Sequence, residues 1–399
     1  MLLLMYNKGM HLEILVGFFL ILTISDSRLR ELSFAANVKN IYILFISLIS
    51  FKETRLIDKP VTIHKNFILF FILSFICVLF SPNINLSFQK TLSYVLLFCF
   101  VPNYFLFIYR EYGDILFKKI VFFVLCILIL GLIYNILFPN ITNLVGRYRG
   151  LLGNPNGLGL YTFLFIIFFT VINECNPTIF TRQEKLIVYG LSFFSLLKCG
   201  ARASLMATIL FFFFRKFYKM SPWFGFLIFI ITLFVYQLIS SNLVEIITTL
   251  GLGDELRVDT LQNGSGRIIA WKFAWEKIQE NFYLGKGFNY TEYIFLINYD
   301  YLSMLGHQGS AHNMYLTFWL DTGLVGLILF LFGLLVTFYK ASKHSKLAIP
   351  ILYAVLFSNN YESWLTASLN PFTIQLLFIL TVIFIYKNDE MINHEVKIA

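Results

Sequence analysis

The chain has 399 residues, of which 58% are hydrophobic, 19% aromatic and only 13% charged. So few charges cannot cover a soluble surface of this size. Several apolar runs approach the roughly 20 residues that cross a bilayer as a helix, and short alternating segments are missing, so a soluble enzyme and a β-barrel are both excluded. The formal net charge of +9 is the excess of Lys and Arg expected of cytoplasmic loops. With no soluble basic domain to carry it, it does not point to nucleic acid.

The expected fold is an all-α polytopic integral membrane protein surrounded by membrane lipids. Apolar segments predict about twelve transmembrane helices, near 11–25, 38–51, 66–81, 91–109, 116–138, 157–173, 184–199, 202–217, 222–240, 312–339, 346–362 and 370–386. The first run follows Lys8 and ends in Thr23-Ile24-Ser25-Asp26-Ser27 without a small-residue cleavage site. It therefore reads as a retained span. Residues 1–240 form an N-terminal bundle of about nine spans, 241–311 a polar insert, and 312–399 the last spans and a short tail. The connections after spans two, four, six, eight and ten are rich in cations: Lys52, Arg55, Lys59 and Lys65; Arg110, Lys118 and Lys119; Arg182 and Lys185; Arg215, Lys216 and Lys219; Lys340, Lys343 and Lys346. By the positive-inside rule those loops and both termini are cytoplasmic, and the insert is extracytoplasmic. The first outer loop, with Arg28, Arg30 and Lys39, departs from this pattern, partly offset by Asp26 and Glu31. The five cysteines show no CxxC or metal-ligand spacing and read as buried thiols.

On this topology the chemistry-bearing residues gather on the outer side, where short loops normally avoid Lys and Arg. Before span six, Arg147-Tyr148-Arg149-Gly150 leads to Gly153-Asn154-Pro155-Asn156-Gly157. Pro and Gly set a tight turn, the asparagines can cap a helix, and Arg149, Asn154 and Asn156 can hold a glycan or phosphate. Arg202 lies among small residues at the junction of spans seven and eight, where an ionisable group beside hydrocarbon needs an anion. In the insert, Ile268, Trp271, Trp275, Ile278 and Phe282 recur at steps of three and four. That spacing predicts an amphipathic helix at the bilayer interface, capped by Ser265 and stopped by Gly285 and Gly287. Arg267 in its first turn leans toward the same membrane-facing side. A cation there opposes the helix dipole unless an anion bridges both, which describes a phosphate site. His312 is expected to open the tenth span with Ser310 as cap, and a neutral imidazole there can serve as general base. Asn313 and Tyr315 lie beside it. Glu362, in Asn359-Asn360-Tyr361-Glu362-Ser363-Trp364, is a candidate for sugar binding or for orienting His312.

Together these residues resemble the O-antigen polymerase and ligase superfamily, membrane glycosyltransferases of bacterial envelopes. The likeness rests on Arg149-Gly150 ahead of Gly-Asn-Pro-Asn, Arg202 among small residues, Ser265-Gly266-Arg267 ahead of Trp271, Ala311-His312-Asn313 ahead of Gly323 and Gly326, and the long insert; it covers roughly residues 145–340. It implies a GT-C-like fold in a bacterial cytoplasmic membrane, an undecaprenyl-diphosphate-linked oligosaccharide donor, a flippase and a chain-length regulator as partners, and neither metal nor cofactor. His312 is then the expected base, and Arg267 and Arg202 neutralise the departing diphosphate. No Asp-x-Asp motif suggests a metal-bound nucleotide sugar. The leading expectation is an inverting repeat-unit polymerase. A ligase acting on lipid A-core or protein uses the same donor and residues. A flippase is disfavoured, because the noteworthy ionisable residues cluster at one face and no internal repeat is visible.

Overall fold

The computed structural model describes residues 10–26, 32–53, 60–216, 225–235, 266–307 and 309–398, with side chains described as far as Tyr386. The helices in chain order are α1 Met10–Asp26, α2 Ala35–Glu53, α3 Ile68–Val78 (preceded by a 3-10 turn, Ile63–Phe67), α4 Ile84–Tyr112, α5 Asp114–Leu137, α6 Pro139–Thr142, α7 Pro155–Cys175, α8 Arg182–Cys199, α9 Arg202–Lys216, α10 Gly225–Val235, α11 Arg267–Glu280, α12 Tyr290–Ile297, α13 Tyr299–Met304, α14 Met314–Ser342, α15 Ala348–Tyr361 and α16 Pro371–Ile398. Among the described residues the strands form one small antiparallel hairpin, β1 Asn143–Leu144 with β2 Arg147–Tyr148, in which Asn143 faces Tyr148.

Every predicted apolar segment is occupied by a helix, and local signals set the ends. Asn83 and Asn154 cap α4 and α7 through their side chains. Thr181 and Glu184 form a reciprocal capping box at α8, satisfying two orphan amides at once. Gly200, left-handed at φ 61°, closes α8. Among the described residues, α4, α5, α7 and α14 are each long and apolar enough to cross a membrane; shorter apolar helices span Ile63–Val78, Gly225–Val235 and Pro371–Tyr386. The chain is a polytopic membrane protein. Its core is aromatic: Phe70 meets Tyr94, Phe288, Phe318 and Phe330 at centroid distances of 5.2–6.2 Å. Phe288 comes from the insert, so the insert is anchored in the bundle by a buried ring.

The insert helix differs from expectation in the face it buries. Helix α11 buries Ala270, Phe273, Ala274 and Ile278, while Ile268 and Trp275 stay about half exposed. The buried side packs on α14 rather than on a bilayer, and Trp271 Nε1 donates to the Ala311 carbonyl at 2.9 Å. Tertiary contact uses small Ala270 and Ala274 for close approach, a preference that a count of large apolar residues misses. The cap expected at Ser265 lies outside the described residues; Gly266 occupies the cap position with φ 72°. The helix ends at Glu280, ahead of Gly285 and Gly287.

Those two glycines serve a break in α14 instead. Gly323 has φ 74° and ψ 177°, which interrupts the helix. The 282–287 segment lies across the gap and takes up the freed backbone groups. Gly287 N donates to Asp321 O at 2.7 Å, and Leu324 N and Val325 N donate to Phe282 O and Tyr283 O at 3.0 and 3.3 Å. A Cβ on Gly285 would lie 2.3 Å from the Asp321 carbonyl carbon, so only glycine permits this approach. Asp321 accepts from Thr291 N and Oγ1, both at 2.8 Å, and clamps the start of α12 onto α14. Buried Asp321 and the break beside it are features of the spanning helix that the sequence reading did not single out.

Candidate active site

Three helices begin and a fourth ends at one end of the bundle, around one carboxylate. Glu362 follows α15 directly, and its side chain is only 12% exposed. Its Oε1 accepts from Asn156 Nδ2 at 2.8 Å and from Arg267 Nη2 at 2.9 Å. Its Oε2 lies 3.4 Å from His312 Nδ1. Asn156 is in the first turn of α7, Arg267 in the first turn of α11, and His312 just before α14. The positive ends of three helix dipoles therefore meet at Glu362.

Two local features place His312. It is not the opening residue of α14: Asn313 is the cap, its Oδ1 accepting from Leu316 N at 3.1 Å, where Ser310 was expected. The Asn313 amide also donates to Asn360 O at 3.1 Å, so this residue ties the start of α14 to the end of α15. His312 itself is left-handed at φ 46°, rare for a side chain of this size. Holding it there costs about 1–3 kcal/mol, offset by the cap and the Glu362 contact. Because a carboxylate oxygen only accepts, Nδ1 carries the proton in this pair, and in the neutral form of the ring Nε2 has the lone pair. The ring is about one-third exposed.

Arg267 is bonded through one nitrogen and lies over the Tyr361 ring, 5.8 Å from its centroid. Among the described residues its remaining donors have no hydrogen-bond partner and face no competitor for an anion. Arg202 opens α9, is exposed, and has no hydrogen bond or ion pair among the described residues. The small residues around it accommodate another helix: Gly159 of α7 packs so closely on Ala201 that a Cβ there would lie 2.3 Å from the alanine methyl. The α8–α9 junction just before Arg202 is tied to the cluster by Arg147, whose Nη2 donates to Gly200 O at 2.9 Å and to Asn156 Oδ1 at 3.1 Å.

The remaining predicted residues are close by, with their polar groups engaged. Asn154 caps α7 by accepting from Gly157 N at 2.6 Å. Arg149 donates to Ile141 O and Gly153 O at 2.8–3.1 Å and staples its own loop. The Tyr315 hydroxyl donates to Leu356 O at 3.0 Å, joining α14 to α15. Of the two arginines in that loop, Arg147 rather than Arg149 reaches the Glu362 cluster, a choice made by the β1–β2 hairpin. His307 was also missed: its ring is buried, 6.4 Å centroid to centroid from His312. Its only sequence signal is its position five residues before His312.

The electrostatics follow from this arrangement. Burial by itself would push the Glu362 carboxyl up; the His312 hydrogen bond and charge, the Arg267 guanidinium and the Asn156 amide outweigh it and hold it below the usual carboxylate value. His307 is pushed down by burial first and by His312 second, both of which favour the neutral ring. An anion entering here meets guanidinium groups, helix amides and one carboxylate already committed to holding an imidazole.

Residues 187–331, from α8 into α14, match a protein-family model, Wzy_C, described as O-Antigen ligase. The chain carries an O-antigen ligase domain. No curated protein matches the chain. Members of the Wzy_C family are glycan-transferring enzymes of bacterial envelope biosynthesis that act on lipid-linked glycans, and the match covers about a third of this chain. The matched stretch contains Arg202, Arg267 and His312. Glu362, Asn156 and Arg147 lie outside it and are brought to the domain by the fold.

Proposed function

We propose that this protein is a repeat-unit polymerase of the O-antigen or capsule type. It transfers glycan from an undecaprenyl-diphosphate donor to a sugar hydroxyl of a lipid-linked acceptor at the outer face of the cytoplasmic membrane. Twelve spans, α1–α5, α7–α10 and α14–α16, cross the bilayer with both termini cytoplasmic. They are organised as an N-terminal bundle, residues 1–240, an extracytoplasmic insert, 241–311, and a C-terminal set, 312–399. The architecture is GT-C-like. Flippase and chain-length regulator are the expected partners.

The observation that carries this reading is the Glu362–His312 pair beside Arg267. Glu362 holds Nδ1–H, so Nε2 takes the proton of the acceptor hydroxyl. The oxygen then forms its bond to the anomeric carbon in line with the bond that breaks, which inverts the configuration. The departing electron pair goes to the diphosphate oxygen, neutralised by Arg267 and Arg202 and by the first amides of α9 and α11. In this mechanism guanidinium groups take the place of a metal ion, so activity should persist in EDTA. Asn156, Asn154, Arg149, Asn313 and Tyr315 shape the glycan side of the pocket. The break in α14 does not favour transport: its backbone groups are bonded to 282–287, and Asp321 is bonded to Thr291.

A second reading is a ligase transferring finished glycan to lipid A-core or protein, favoured by the description of the matched family. Gene deletion followed by a gel of surface glycan separates the readings. Loss of a polymerase leaves single repeats on the final acceptor. Loss of a ligase leaves long chains on the lipid carrier, and loss of a flippase leaves repeats trapped inside. Complementation with His312→Ala, which should insert in the membrane but extend nothing, tests the base; normal long chains in that strain would remove His312 from the mechanism.

A further inference from the structure

The insert carries an apolar surface that the transfer chemistry does not use. Helices α12 and α13 bury Ile294, Phe295 and Leu302 inward but expose Tyr293, Leu296, Ile297, Tyr299, Tyr301 and Met304, the last 80% exposed. The exposed charges on these two helices are Glu292, already paired with Lys90 at 2.6 Å, and Asp300. A face so rich in aromatic and aliphatic side chains needs a covering.

Its depth identifies that covering. The 282–287 segment leading to α12 lies on α14 at the Gly323 break. Beyond the break, 324–342 is a continuous helix about 28 Å long at 1.5 Å per residue, enough to cross the roughly 30 Å hydrocarbon core unaided. Its far end carries Lys340, with Lys343 and Lys346 just beyond, the residues that anchor a span at the cytoplasmic headgroups. The break therefore coincides with the opposite edge of the hydrocarbon. At this level Trp319 Nε1 bonds Phe282 O at 2.9 Å and stacks edge-on with Trp275 at 5.5 Å. Tryptophan and tyrosine gathered at one depth are the composition of a membrane-interface belt. The α3–α4 turn, against which Gly287 packs through Cys77 O and Ser87 Oγ, continues this apolar surface with exposed Leu79, Phe80 and Ile84.

We propose that α12 and α13 are seated in the outer leaflet of the bilayer, with the exposed face of Leu296 and Met304 among the acyl chains just below the headgroups. The membrane-interface element of the insert is thus α12–α13, and not α11, whose apolar side packs on α14. This proposal rests on the membrane placement of α14 and is independent of whether the protein is a polymerase or a ligase.

The test uses the full chain in phospholipid nanodiscs, with a genetically encoded fluorescent amino acid at Leu296 or Met304. Ile328, exposed on the spanning half of α14, is the lipid reference, and Gln183, exposed in the first turn of α8, is the water reference. Quenching by nitroxide-bearing phospholipid, as at Ile328, with protection from aqueous iodide, is the expected result. Iodide quenching like that at Gln183, without quenching by the nitroxide lipid, would mean the face meets water and would overturn the proposal. Protection from both quenchers would mean that protein covers the face and would overturn it equally. Glycan transfer measured on the same variants reports on the catalytic reading separately.

Discussion

Glu362→Gln isolates the role of the carboxylate with little change in shape. The network dictates how the new amide must sit. Oε1 of Glu362 now accepts from Asn156 and Arg267, so the amide oxygen has to take that place; an NH2 there would face two donors. The NH2 is then forced toward His312 Nδ1, 3.4 Å away. Nδ1 must become the acceptor, the ring proton moves to Nε2, and the lone pair that serves as base is lost. General-base catalysis contributes about 10²–10⁴-fold, or about 3–5 kcal/mol of barrier. The stability change is smaller: a charge-assisted bond to Arg267 becomes a neutral one, a loss of about 1 kcal/mol. The assay is the initial rate of glycan extension by purified protein on a lipid-linked repeat, resolved into kcat and KM. A fall in kcat of at least about a hundredfold with KM little changed is expected. A kcat within about threefold of wild type, or a loss confined to KM, would refute the orienting role of Glu362.

Arg202→Ala should leave the melting temperature within experimental error, since an exposed side chain without partners among the described residues contributes less than about 0.5 kcal/mol, while kcat falls by about 10²-fold if it neutralises the leaving diphosphate; equal activity would assign the residue to the surface. Gly285→Ala places a methyl against the backbone of Asp321 and Thr322, which cannot yield as a flexible side chain would. A destabilisation of about 1–3 kcal/mol, read as a lower melting temperature in detergent, is expected, and an unchanged melt would show that the insert is not held at the break. Acid should destabilise the fold in two windows. His307 and Glu362 are both held below their ordinary values, so each stabilises the native state above its unfolded pKa, about 6.5 and 4.3, and that stability is lost as pH falls below those values toward each folded one. Tryptophan-fluorescence melts against pH should lose the lower window in Glu362→Gln and the upper one in His307→Gln; melts that keep both windows would sever these groups from acid stability.

Hydropathy determined the helices, because a segment of apolar residues has no better way to satisfy its backbone in lipid than to coil on itself. The helical segments and the cap at Asn154 were legible along the chain, as were Arg202, Arg267 and His312 as candidate residues. Each depends on neighbours within a few positions. What tertiary structure decided is who meets whom. That Arg147 and not Arg149 reaches Asn156, that Glu362 joins α7, α11 and α14, and that α11 turns its alanines inward are contacts between residues separated by up to about two hundred positions. The break at Gly323 belongs to the same group: a glycine in a helix is unremarkable until a second segment arrives with amides and carbonyls that replace the bonds it gives up. Periodicity reports which face of a helix is apolar. Whether lipid or protein covers that face depends on side-chain volumes brought together from distant parts of the chain, and no local pattern contains that information.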